Sequence, residues 1–177
     1  TISRASGSLT FPANFQLIAA MNPCPQGYDC DLRNHCRCTP EQQRRHRNRI
    51  SAPLLDRIDL QVQVLRPLPA LLRANAEMPE DTASVRDRVA RAWRVQRLRT
   101  GNANALLDGD ALTEFCELDD EGWSLLETAA GRFNLSARAH QRILRVSRTI
   151  ADLAASKKIA PPHVAEALSF RCLDRPV

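Results

Sequence analysis

Lysine is nearly missing: Lys157 and Lys158 are the only two among 25 basic residues, which leaves 23 arginines. Aromatic residues make up 5% of the chain, and no run approaches the roughly 20 apolar residues that a membrane helix needs. No membrane partner is therefore expected, and the reading is of a soluble, cytoplasmic, helix-rich protein. The first residues lack the basic start, apolar stretch and small-residue cleavage site of a secretory leader. The chain opens on Thr1 instead of a methionine, so an excised piece of a longer protein is expected. No G-x-x-x-x-G-K-[ST] motif occurs, and the two lysines follow Ala-Ala-Ser, so these residues cannot build a complete nucleotide site alone. No Ser/His/Asp or Cys/His hydrolytic set can be assembled either, which argues against an independent hydrolase.

At 177 residues the chain has room for one compact unit and an appendage. Its net charge of +5 and pI near 9.2 favour partners that carry phosphates or carboxylates, which arginine's planar fork grips bidentately. A genome rich in G and C codons would also supply the arginine and alanine.

The cysteines are unevenly spread. Cys24, Cys30, Cys36 and Cys38 crowd into fifteen positions, spaced C-x5-C-x5-C-x-C, while Cys116 and Cys172 stand alone in helix-like surroundings. That pattern argues against a secreted disulfide scaffold and for a metal site. Four thiolates on one loop can close a tetrahedral shell around Zn2+ at about 2.3 Å per bond and leave no open position for water, so the role is structural. His35 could replace one cysteine, and free or oxidised thiols are the alternative.

Residues 1–5 and 9–11 read as a hairpin around Ser6-Gly7-Ser8, and residues 15–20 as a short buried strand. Thr39-Pro40-Glu41-Gln42 offers an N-cap hydroxyl, a proline at the first helical position and a capping-box glutamine, predicting a helix over 40–50. A short helical turn follows Pro53. Residues 59–64 alternate with the two-residue period of a strand. Beyond the stiff connector 66–69, helices are expected over 82–99, 110–116, 121–130, 136–157 and 162–170. Asp81, Asp110 and Ser136 serve as N-caps, and Gly131 as a stop. The boundary at the connector gives two domains, 1–66 and 67–177.

Several stretches then fall together: Ile2-Ser3-Arg4-Ala5, the run from Phe15 through Asn22-Pro23-Cys24-Pro25, Cys36-Arg37-Cys38-Thr39-Pro40-Glu41-Gln42, Pro53-Leu54-Leu55-Asp56-Arg57-Ile58-Asp59-Leu60, Leu135-Ser136-Ala137-Arg138 and Ala165-Glu166-Ala167-Leu168. In this order they resemble the C-terminal part of the magnesium-chelatase-like AAA+ ATPases of the ComM type. The resemblance implies an α/β fragment of an AAA+ core (a β-hairpin, two strands and short helices) followed by an all-α helical lid bundle. The phosphate loop and the acidic magnesium-binding strand would lie upstream of Thr1. ATP and Mg2+ are the implied cofactors of the full protein, a homo-oligomeric ring of hexameric type its assembly, and DNA its partner.

The same resemblance assigns roles. Asn22 matches the sensor 1 position, where an amide orients the attacking water or touches the γ-phosphate; a plain Asn-Pro turn is the alternative. Arg57 matches an arginine finger for the neighbouring subunit's ATP, against a local salt bridge to Asp56 or Asp59. Arg138 matches the sensor 2 arginine that reaches its own subunit's nucleotide, as both a catalytic and a nucleotide-binding residue. Arg142, Arg145 and Arg148 continue along the same helix as a basic edge, read as a solvated face paired with acidic neighbours. Arg4 sits in a hairpin that in related ring motors enters the pore and touches DNA, with a simple sheet-edge hairpin as the alternative. Relatives carry Cys-Pro-Cys-Gly where this chain has Cys24-Pro25-Gln26-Gly27, so Cys30 is taken as the replacement ligand. A chelatase-type motor acting on a protein partner for metal insertion, and a zinc-stabilised nucleic-acid-binding module, remain as other functions. Because the phosphate-loop strand would lie between residues 15–20 and 59–64, residues 1–66 are expected to hold unpaired strand edges.

Overall fold

A computed structural model describes residues 1–12, 15–26, 36–64, 80–133 and 135–171. Cys30, His35, Cys172 and the connector 66–69 lie outside the described residues. The chain divides into two compact units, Thr1–Arg47 and Asn48–Val177.

In the first unit, β1 (Ile2–Arg4) and β2 (Gly7–Leu9) form an antiparallel hairpin, with Ile2 opposite Leu9, Ser3 opposite Ser8 and Arg4 opposite Gly7. Gly7 has a φ of 142°, which a residue with a Cβ adopts only under strain. Hydroxyl pairs from Ser3 to Ser8 at 3.1 Å and Thr1 to Thr10 at 3.0 Å cross the ladder. The expected strand over 15–20 does not form: its residues join no ladder among the described residues, and Phe15, Leu17 and Ile18 are exposed. A strand exists only by pairing its N–H and C=O groups with a neighbour, and no described segment flanks this one. Helix α1 (Pro40–Arg47) starts on the expected capping box, with Gln42 N–H donating to Thr39 Oγ1 at 3.3 Å and Thr39 N–H to Gln42 Oε1 at 3.0 Å. It stops three residues before position 50.

The second unit is helical. The short helix α2 (Ala52–Leu55) hangs from the Ser51 carbonyl. The expected strand over 59–64 is reduced to one parallel bridge, Gln61 with Arg171, in which Gln61 N–H donates to the Phe170 carbonyl at 2.8 Å. Helix α3 (Thr82–Thr100) opens on Asp81, whose carboxylate accepts the Ser84 N–H at 2.8 Å and is held below its ordinary pKa by the Ser84 side chain and by that backbone bond. It closes on Gly101 at φ 75°. Helix α4 (Gly109–Phe115) places Asp110 inside the first turn, so the cap position belongs to Asp108. Helix α5 (Asp120–Phe133) runs through Gly131, which therefore does not stop it.

Helix α6 (Ala137–Leu153) begins as expected, with Ser136 Oγ accepting the Ala139 N–H at 3.1 Å. It ends four residues early. Ala155 turns into the left-handed region at φ 55°, and Ser156 N–H closes back on the Ala151 carbonyl at 2.8 Å. Helix α7 (Pro161–Ser169) starts on two prolines that need no N–H partners. Helices α4 to α7 share one core centred on Leu126, Ile143 and Val164, each at most 1% exposed, with Leu112, Leu118, Ile150, Ile159 and Leu168 around them. The chain is thus a small hairpin-bearing segment followed by a helical bundle.

Candidate functional site

The sulfurs of Cys24, Cys36 and Cys38 lie within 4.8 Å of one another, and Cys24 and Cys38 are buried. Tetrahedral thiolate ligands at about 2.3 Å from an ion sit roughly 3.8 Å apart, so three donors fit a thiophilic metal. A fourth donor is needed, and Cys30 lies outside the described residues. Elsewhere in the first unit the described residues bury no side chain, so these thiols are enclosed without an aliphatic core. Gln43, one turn into α1, donates its Nε2 to both Cys36 Sγ and the Cys38 carbonyl, each at 3.3 Å. Asn22 is exposed, and its backbone carbonyl accepts from His46 Nε2 at 2.9 Å. Arg4 stands exposed in β1.

The second unit gathers the other candidates around Asp56. Ser136, the cap of α6, donates its hydroxyl to Asp56 Oδ1 at 2.8 Å, and Arg138 NH1 lies 4.0 Å from Asp56 Oδ2. The Arg57 guanidinium donates to the Pro53 carbonyl at 2.6 Å, is exposed, and makes no ion pair among the described residues. The alternative salt bridge of Arg57 to Asp56 or Asp59 therefore does not form. Asp59 is taken by Arg142, which also donates to the Arg57 backbone carbonyl at 2.6 Å. The Arg57 backbone is anchored to α6, while its exposed guanidinium rests on the Pro53 carbonyl without an acidic partner among the described residues.

The basic edge of α6 is paired with acidic neighbours at Arg142 and Arg148, as expected, but it is not solvated: Arg148 is buried, and Arg142 and Arg145 are partly so. Arg145 Nε donates to the Leu107 carbonyl at 2.6 Å. Arg148, 3% exposed, donates to the Ser156 and Lys157 carbonyls and pairs with Asp152 at 3.0 Å. Arg99 from α3 grips Asp152 bidentately at 2.6 and 2.9 Å, and Asn104 adds a bond at 2.8 Å. Burial pushes the Asp152 carboxyl up, but the bonds from Arg99 and Asn104 and the charges of Arg148 and Arg99 together hold it below its ordinary value. Burial lowers the Arg148 pKa, against the pull of Asp152. Cys116 is 2% exposed, and burial pushes its thiol up to about 11, opposed by Arg148, Arg99 and Arg145. It is a protonated core residue. Sequence reasoning missed this cluster, although Arg148 and Asp152 stand at i and i+4.

No helix among the described residues is long and apolar enough to cross a membrane. Two family models match the chain: "Magnesium chelatase, subunit ChlI" over residues 1–70 and "Magnesium chelatase, subunit ChlI C-terminal" over residues 79–171. The chain is 44% identical over 98% of its length to the uncharacterized protein YifB of Salmonella typhimurium and of Escherichia coli. It is 42% identical over 98% of its length to the competence protein ComM of Haemophilus influenzae, and 39% identical over 96% to an uncharacterized protein of Mycobacterium tuberculosis. It spans 34% of the length of each of these curated relatives. The chain belongs to the magnesium-chelatase-like AAA+ family, of the ComM and YifB type.

Proposed function

We propose that the chain supplies the control residues of a ring-forming ATPase whose hydrolysis of ATP with Mg2+ drives DNA remodelling or branch migration. Residues 1–66 are the end of the α/β core and residues 67–177 the lid, a division that lies close to the gap between the two family matches, which end at residue 70 and begin at residue 79. Asn22 orients the attacking water. Arg57 enters the neighbouring subunit's site, where a guanidinium neutralises charge on the transferring phosphoryl group and makes hydrolysis depend on assembly. Arg138, in the first turn of α6, reads the nucleotide and couples its state to the lid.

The observation that carries this reading is an exposed Arg57 guanidinium that no carboxylate pairs among the described residues, its NH1 resting on the Pro53 carbonyl, on a fixed backbone. An arginine finger needs a rigid base and a guanidinium that is not already neutralised, and Arg142 and Asp59 supply the base without engaging the tip. The contact of Arg138 with Asp56, the residue beside Arg57, favours a second reading in which Arg138 joins Arg57 at the same nucleotide.

The cysteine loop would hold Zn2+ through Cys24, Cys36 and Cys38, with Cys30 as the fourth ligand. The ion would close a segment that lacks a core. Arg4, at the exposed hairpin, would touch threaded DNA. The cysteine loop, which resembles the ComM pattern, is our ground for preferring DNA over a chelatase-type protein partner. In the full-length protein, DNA should raise the ATPase rate. Alanine at Asn22, Arg57 or Arg138 should each lower kcat by about a hundredfold or more. An ATPase indifferent to DNA but stimulated by a protein partner would favour the chelatase-type motor instead.

A further inference from the structure

Among the described residues, Asn22 is held from the last turn of α1 and stands beside the cysteine segment. Pro23 follows Asn22 and keeps its backbone out of the helical region. The Asn22 carbonyl is then held by His46 Nε2 at 2.9 Å; a carbonyl only accepts, so Nε2 is the donor. Cys24 lies two residues beyond and brings its sulfur to Cys36 and Cys38. Cys38 is followed at once by the Thr39–Gln42 capping box that starts α1. Gln43 and His46 stand three residues apart on that helix, on one face. Gln43 holds the cysteine segment and His46 holds Asn22. The Asn22 side-chain amide itself has no hydrogen-bond partner among the described residues and faces solvent.

The His46 ring also carries a signature of a fixed position. Its Nδ1 is buried and has no hydrogen-bond partner among the described residues. An orphaned ring nitrogen is costly and persists where the other nitrogen's bond and the packing of the helix outweigh it. Turning the ring to satisfy Nδ1 would surrender the Asn22 carbonyl.

We propose that His46 is a positioning residue that ties Asn22 to the last turn of α1, a helix whose start the cysteine segment clamps, so that closure of the cysteine cluster sets where the Asn22 amide points. This rests on the reading of Asn22 as the sensor. The cluster is then part of the hydrolytic apparatus by leverage: it fixes the start of α1, α1 fixes His46, and His46 fixes the backbone from which the sensor projects. A displaced sensor costs rate and not binding, because orientation of the attacking water matters in the transition state.

The test uses the full-length protein with single changes Asn22→Ala, His46→Leu and His46→Gln. Steady-state ATP hydrolysis, metal per chain by mass spectrometry and hydrogen exchange over residues 18–24 are measured on each. His46→Leu should lower kcat about tenfold or more with KM for ATP within about twofold. It should keep the wild-type metal content and speed exchange over residues 18–24. His46→Gln, whose amide N–H can reach the same carbonyl, should restore most of the rate. Chelation of the metal should lower kcat in the wild type and add little in His46→Leu, since both break the same chain of contacts. Wild-type kcat in His46→Leu, with Asn22→Ala impaired, would overturn the role of His46 and leave the sensor intact. Loss of metal in His46→Leu would also overturn it, by making His46 part of the cluster. Wild-type kcat in Asn22→Ala would remove the sensor reading itself and this inference with it.

Discussion

Asp152 shows how far a single side chain can organise its surroundings. Its side chain is 1% exposed and is shared by Arg99, Arg148 and Asn104. Removing one member of a buried ionic set leaves uncompensated charge, which costs far more than the set contributes. Asp152→Asn should therefore destabilise the helical bundle by about 3 kcal/mol or more, read from urea unfolding near neutral pH. The pH dependence follows from the same contacts. The folded carboxyl titrates below its ordinary value near 3.8, so its contribution is complete above that value and is lost as pH falls through the lower folded one. Wild type should lose stability in this acid range, and Asp152→Asn should flatten that step. At the same scale, Arg57 and Arg138 stood out in the sequence only through the family resemblance of the stretches that hold them. The sequence could not show that Asp59 is taken by Arg142, leaving Arg57 without a carboxylate partner, because that depends on a helix some 80 residues away meeting the loop.

The helices were largely legible because their cues are local. The capping box at Thr39 and Gln42 and the caps at Asp81 and Ser136 all form as the sequence predicts. Cues that depend on competition were misread. Gly131 resembles a stop, yet α5 passes through it and ends only after Phe133. The end of α6 carries no glycine, and Ala155 takes the left-handed turn. The two strands failed for a different reason: an apolar or alternating run says that a segment can enter a sheet, not that a neighbouring strand is present. Residues 15–20 and 59–64 kept the pattern and lacked the ladder. Helix α1 has no buried residue of its own, so it should depend on the cysteine segment that precedes it. Cys36→Ser should reduce bound zinc from about one per chain to near zero and speed amide exchange along α1. Full retention of metal would show that Cys36 is not a ligand.

Across the whole chain, stability is unevenly placed. Nearly all the enclosed aliphatic volume lies in α4 to α7, whereas the first unit buries only Cys24 and Cys38 among its described residues. Exchange-protected amides require buried, hydrogen-bonded backbone. Residues 110–170 should therefore exchange more slowly than residues 1–66 when this chain is studied by itself. Equal protection would contradict the assignment of the core to the bundle. Phe15, Leu17 and Ile18 lie exposed in the same unit, apolar surface whose contact with water adds nothing to stability.

The most direct test of the account is complementation between two full-length variants, each inactive alone. Arg57→Ala subunits keep Asn22 and lose the finger; Asn22→Ala subunits keep the finger and lose the sensor. If Arg57 serves the adjoining subunit, an equal mixture assembles sites that hold both groups, and about a quarter of wild-type ATP hydrolysis returns. If the mixture stays as inactive as its components, Arg57 does not act across an interface, and the central claim is contradicted.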